Sequence, residues 1–158
     1  MRRNESFRDA KSDYVVSLDD DAFFTSPDTL RRIVELFELW PLTAAIALPF
    51  VEPNARPDAV TMQPTPLGTC LKGFSGGVSA IRRKVAIELG GFPELLVHQG
   101  EERDLCVRLL EKNWEIRYAD TAPIVHLYSL KRESTRISYY GYRNTILFYW
   151  MRAPWPRW

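Results

Sequence analysis

Apolar residues in this chain come in short blocks whose spacing alternates between the period of a strand and that of a helix. Tyr14-Val15-Val16-Ser17-Leu18 is a run rich in β-branched residues that stops at Asp19-Asp20-Asp21, which predicts a buried strand ending at a polar edge. Ser26-Pro27-Asp28 reads as a helix start: a capping hydroxyl, a proline where its missing N–H costs nothing, and an acid in the first turn. Leu30, Ile33, Val34, Phe37 and Leu39–Trp40 follow at helical spacing, and Pro41 closes that helix. Ala44–Val51 predicts a second buried strand. The stretch from Glu52 to Leu67, with Pro53, Pro57, Pro64 and Pro66, predicts a long irregular loop of the kind that is usually functional.

Ile81–Leu89 reads as a helix stopped by Gly90-Gly91. Glu101–Lys112 is the clearest helix, with Leu105, Cys106, Leu109 and Leu110 on one stripe and Asn113 placed for a left-handed C-terminal cap. Glu115–Ala119 predicts a third strand, and Ile124-Val125-His126 ends another. From Ser134 the sequence turns aromatic and basic. Strands alternating with helices predict an α/β fold around a mostly parallel sheet. Only a dozen residues precede the first strand, so it lies at a sheet edge or pairs with sequence not contained in this chain.

Length and composition narrow the picture. With 158 residues, 46% of them hydrophobic, the chain suits one globular domain, and its formal net charge of +1 argues against an obligate nucleic-acid binder. Cys70 and Cys106 form no C-x-x-C pair, and two cysteines frame no disulfide scaffold, which fits a reducing, intracellular setting. The first residues carry no apolar signal-like stretch. The longest apolar runs, Ala44–Val51 and Ile146–Met151, fall well short of the roughly 20 residues that span a bilayer.

Two acidic groups carry candidate chemistry. Asp19 and Asp21, just past the carboxyl end of a strand, repel each other unless a cation lies between them, and hard divalent ions accept such oxygens. Gly100-Glu101-Glu102-Arg103-Asp104 opens the best-defined helix. Asp104 is placed to pair with Arg108 at i,i+4, which leaves Glu101 and Glu102 for other work, a general base among the options. Ordinary capping electrostatics would explain these same acids without any catalysis.

In their order along the chain these pieces resemble a family 2 glycosyltransferase with a GT-A fold. The resemblance rests on Val15-Val16-Ser17-Leu18-Asp19-Asp20-Asp21, Gly76-Gly77 ahead of Arg82-Arg83, Gly90-Gly91-Phe92-Pro93-Glu94, Gly100-Glu101-Glu102-Arg103-Asp104-Leu105, Arg108-Leu109, Trp114 and His126. It implies a D-x-D motif on Asp19 and Asp21, with Asp21 as metal ligand, Asp19 and His126 beside it, and Mg²⁺ or Mn²⁺ as the ion. It implies a catalytic base at Glu102, next to Glu101, with glutamate where the family more often has aspartate. Asp19, Asp20, Gly76, Gly77 and Trp114 fall on donor-binding positions. The implied reaction moves a sugar from a nucleotide-diphosphate sugar to a hydroxyl of a glycan or lipid-linked acceptor, with inversion, in polysaccharide biosynthesis at the cell envelope. Gln63 and Gln99 begin no Q-x-x-R-W motif, which implies a single-transfer enzyme.

Arg2-Arg3-Asn4-Glu5-Ser6-Phe7 resembles the helix that precedes the D-x-D strand in this family. The expectation is therefore an incomplete GT-A domain over residues 1–133, lacking the nucleotide-binding half and weakly active or inactive alone, followed by an aromatic and basic helical tail over 134–158. That tail either packs on the domain or touches a membrane surface, giving a cytoplasmic protein, peripheral at the inner face of the cell membrane in the second case. His98 reads as a surface loop residue. Two other function classes fit parts of the pattern: a haloacid-dehalogenase-type phosphatase using Asp19 and Asp21, and a non-catalytic sugar-nucleotide or membrane-surface module.

Overall fold

The computed structural model describes residues 2–53, 65–127 and 134–153. In chain order the elements are α1 (Arg2–Asp9), β1 (Tyr14–Leu18), β2 (Ala22–Phe23), α2 (Thr29–Leu39), β3 (Thr43–Ala47), β4 (Phe50–Val51), β5 (Val78–Arg82), α3 (Arg83–Glu88), α4 (Glu101–Glu111), β6 (Glu115–Tyr118), β7 (Ile124–His126) and α5 (Ser134–Arg152). Most of the proline-dense loop, residues 54–64, lies outside the described residues, as does the C-terminal end beyond Ala153.

The main sheet has the order β1-β5-β3-β6. β1, β3 and β6 run in one direction, while β5 runs against them and pairs antiparallel with β1 on one side and β3 on the other. A small sheet, β2-β7-β4, stands at the carboxyl ends of β1 and β3. Here the structure departs from the sequence reading. Ile81 and Arg82 belong to β5, and the helix begins at Arg83; Val78-Ser79-Ala80-Ile81 is a fully buried strand, whose apolar run periodicity alone does not distinguish from a buried helix. Ala44–Val51 divides into β3 and β4, with Leu48 and Pro49 turning the chain from one sheet to the other.

Alternation along the strands makes two cores. Ala45 and Ile81 face Phe7, Val85, Phe92, Leu105, Leu109 and Ile116 on the side of α1, α3 and α4. Their neighbours Ile46 and Ala80 face Ile33, Leu36 and Phe37 of α2 on the other side. β3 is buried along its whole length, as a strand covered on both faces must be. β1 is only half buried, and among the described residues it pairs with β5 alone.

The helix ends follow their local chemistry. Thr29–Leu39 begins after Asp28, whose N–H donates to Ser26 Oγ at 3.2 Å, and ends at Trp40, ahead of Pro41. Gly90 and Gly91 both take positive φ and send their N–H groups back to Ile87 and Ala86 carbonyls at the end of α3. Asn113 has a φ of 59°, the left-handed conformation anticipated for it. α1 is tied to the domain through Asn4, which donates to the Phe92 carbonyl and accepts from the Phe92 N–H, both at 2.8 Å.

Candidate active site

The carboxyl edge of β1 brings the first acidic group together. Asp19, Asp21 and His126 each present one ligand atom, and these atoms lie within 4.8 Å of one another. β2 and β7 cause this: Ala22 pairs with His126 in the small sheet, so the turn after β1 is folded back against the end of β7. His126 Nδ1 is 2.8 Å from Glu52 Oε1, a partner supplied by the residue just after β4. That contact fixes the ring and directs Nε2 toward Asp21, whose Oδ1 is 3.0 Å away.

This arrangement fits a divalent cation. His126 Nε2 is buried and, although Asp21 Oδ1 lies 3.0 Å away, makes no hydrogen bond among the described residues. A buried, unsatisfied imidazole nitrogen beside two carboxylates is costly unless a cation draws all three, and one imidazole with carboxylate oxygens is an ordinary Mn²⁺ donor set. Asp20 is exposed and outside this cluster.

The second acidic group lies across a cavity of about 880 Å³ whose walls include Asp19, Gly76, Gly77, Glu101 and Glu102. Asp19 belongs to both the cation cluster and this cavity, and so joins them. Arg3 does the same from the side: one guanidinium nitrogen is 3.4 Å from Asp19 Oδ1 and another 3.3 Å from Glu101 Oε1. The two glycines let these groups approach. A Cβ on Gly77 would stand 2.0 Å from Asp19 Oδ2, and one on Gly76 would stand 2.6 Å from an Arg3 nitrogen.

Glu101 and Glu102 differ in their surroundings. Glu101 is buried and held by Arg3, with its Oε2 lacking any hydrogen-bond partner. Glu102 is half buried at the cavity wall. Desolvation raises its proton affinity above the ordinary carboxylate range, and the Glu101 charge adds to that, while Arg3 and the N–H groups of Glu102 itself and Gly100 pull the other way. A positive φ of 86° at Gly100 turns the chain into α4 and points this pair at the cavity. Asp104, one turn on, is fully buried and structural: Arg108 pairs with it at 2.8 Å, as the i,i+4 spacing suggested, and Arg152 of α5 joins at 2.6 Å.

Several site residues were missed in the sequence. Arg3 carries no motif of its own, and Glu52 precedes the proline-dense loop without any spacing signal. Arg136, Asn144 and Phe148 come from α5, a segment that the sequence set apart as a tail. Asn144 is buried and donates to the carbonyls of His98 and Gln99 at 2.6 and 2.7 Å, which fixes the loop before Gly100. His98, expected on a plain surface loop, is exposed but borders the cavity, edge-on to Tyr140. Trp114 packs beside the first core cluster beyond the far end of α4, away from the cavity lining.

Comparison with known proteins places this geometry in context. No family model matches the chain. The O-antigen chain rhamnosyltransferase WbaN of Salmonella anatum is 27% identical over 163 residues, covering 93% of this chain and 50% of its own length. The chain thus spans about half the length of the curated relative it matches. Among solved structures, the mannosyltransferase PcManGT of Pyrobaculum calidifontis, in complex with GDP-Man and Mn²⁺, aligns at a TM-score of 0.59 and 21% identity over 92% of this chain and 41% of its own. GalNAc-T7 with UDP, GalNAc and Mn²⁺ aligns at 0.64 and 12% identity over 82% of this chain and 30% of its own. S. aureus TarS in complex with UDP-GlcNAc aligns at 0.61 and 15% identity, over 84% and 40%. The fold is that of the GT-A glycosyltransferases, of which this chain covers a part.

Proposed function

We propose that this chain carries the cation- and acceptor-side machinery of a GT-A glycosyltransferase, one that moves a sugar from a nucleotide-diphosphate donor to an acceptor hydroxyl with inversion. The observation that carries this reading is Asp19, which belongs both to the Asp19–Asp21–His126 cluster and to the cavity lined by Glu101 and Glu102. Support comes from the fold and from structural neighbours solved with GDP-Man, UDP or UDP-GlcNAc, two of them with Mn²⁺.

A divalent ion held by Asp19, Asp21 and His126 would supply Lewis-acid neutralisation of a diphosphate leaving group. Glu52 keeps His126 oriented as a ligand. Glu102 takes the proton from the acceptor hydroxyl as that oxygen attacks the anomeric carbon. Its raised proton affinity makes it a better base than a solvated carboxylate, and its partial exposure leaves it accessible. Glu101, locked to Arg3, is the positioning member of the pair. Attack from the face opposite the leaving group inverts the anomeric centre, as a single displacement requires. The phosphatase alternative needs a late acid directly after a strand, whereas Glu101 and Glu102 open a helix.

Calorimetry tests the reading. Mn²⁺ is expected to bind the chain, and a nucleoside diphosphate to bind only after the metal, with both lost in Asp21→Ala. Diphosphate binding that ignores the metal, or survives that substitution, overturns the assignment. In any preparation that turns over a nucleotide sugar, Glu102→Gln should leave metal binding intact and lower kcat by about 10²–10⁴-fold.

A further inference from the structure

Helix α5 is apolar on two faces, and the domain covers only one of them. Its inner face, with Ile137, Gly141, Asn144 and Phe148, lines the cavity, and Arg152 anchors its end to Asp104. Its outer face carries Tyr139, Tyr142, Ile146, Tyr149 and Trp150, which are 62, 76, 70, 60 and 68% exposed. The 3-4-3 spacing of the first four sets them on one stripe, with Trp150 beside it, along residues 139–150 of the helix. An exposed stripe of large apolar and aromatic groups of this kind marks a candidate contact surface.

We infer that the ridge is a docking surface for an anionic lipid bilayer, on which α5 lies flat. Four features favour lipid over protein. The exposed groups are mainly tyrosine and tryptophan, whose amphipathic rings suit the headgroup level. α5 contains Arg136, Arg143 and Arg152 and no acidic residue. Arginines border the stripe on both sides: Arg136 and Arg143 along one edge, and on the other Arg103, stacked 3.7 Å over the Phe148 ring and 5.5 Å over that of Tyr149. Arg143 also holds the loop that bears the exposed Leu95 and Val97, through a 3.1 Å hydrogen bond to the Leu95 carbonyl, which widens the apolar area. No helix among the described residues is long and apolar enough to cross a membrane, so the mode is surface attachment in the plane of the interface. Because the opposite face of the same helix lines the cavity, docking sets the cavity beside the headgroup layer. The inference stands whether or not the transferase reading does.

Flotation of the purified 158-residue chain with vesicles tests it. The chain should float with vesicles containing phosphatidylglycerol, float far less with pure phosphatidylcholine, and be released by salt. Arg136→Gln should weaken the partition about fivefold. Tyr142→Ser, Ile146→Ser and Trp150→Ser together should weaken it by at least about tenfold, with the far-ultraviolet circular dichroism unchanged. If the triple variant fails to fold, the lipid and salt dependence of the unmodified chain decides. Failure of that chain to float with anionic vesicles overturns the inference. So does equal flotation of a folded triple variant, or a dimer that the triple variant converts to monomer without any vesicle binding.

Discussion

Gly77 has no room for a side chain, and the group that fills the room is a carboxylate. A Cβ there would sit 2.0 Å from Asp19 Oδ2, which is free to swing away at little cost to the fold. Gly77→Ala is therefore expected to leave the melting temperature nearly unchanged while weakening Mn²⁺ binding by roughly 10–100-fold, the range seen when the support of a ligand is disturbed. Glu52→Gln should do the same through His126, and the spectrum of free Mn²⁺ in a paramagnetic titration reads both. Glu102 makes a different kind of statement. Its proton affinity is higher in the folded chain than in the unfolded one, so the native state binds the extra proton in the window between the two values. Stability is lost as pH rises through that window and regained as pH falls below it. Glu102→Gln is expected to melt higher than the parent at neutral pH, with the difference vanishing in acid. A variant that is equally stable at every pH would show Glu102 to be unperturbed. Residue types alone singled out Asp19 and Asp21 and the pair Glu101–Glu102, because acids beside a strand end and a helix start are conspicuous, whereas His126 and the choice of Glu102 came from the family resemblance. Arg3 and Glu52 escaped because their roles depend only on distance in space.

At the level of elements, the fold was legible where periodicity and punctuation agreed. α2 and α4 appeared as helices and β6 as a strand, since each has one exposed and one buried face; the start of α2 falls later than the sequence reading had it, with Asp28 rather than Ser26 at the N-cap and no acid in the first turn. β5 was misread because both of its faces are covered, which removes the alternation that marks a strand. The loop of residues 54–64 stays outside the described part, so its proposed role is not addressed by the fold. Packing of α5 on the domain was one of the two sequence alternatives, but its anchor, a buried carboxylate on another helix, was not legible. Asp104 is fully buried and shared by Arg108 and Arg152. Its replacement by asparagine leaves two partly buried guanidinium groups without their counter-charge and is expected to cost about 3–5 kcal/mol in denaturant unfolding. Hydrogen exchange should locate much of that loss in α5 and in the loop of residues 93–99. Uniform loss across the sheet instead would show that α5 is not held there.

For the molecule as a whole, the two cysteines report on opening. Cys70 is exposed, whereas Cys106 is buried in the core under α4, and burial pushes its thiol up to about 12. In the native state at pH 8 one thiol should react promptly with an aromatic disulfide reagent. The second should react only at the rate of global or subglobal unfolding. Prompt reaction of both would mean that the core seen here opens freely. The cavity, the cation cluster and both acidic pairs all stand on elements packed around this core, so their geometry is only as durable as its closure.

The half-buried strand β1 has a consequence for handling the molecule. Among the described residues Tyr14–Leu18 pairs on one side only, and the rim of backbone donors and acceptors on its other side accepts an extended chain brought alongside. Two molecules meeting rim to rim would stitch into a continuous ribbon, so turbidity should grow steeply with concentration rather than with temperature. A short synthetic strand added in excess should quench that growth by occupying the rim first.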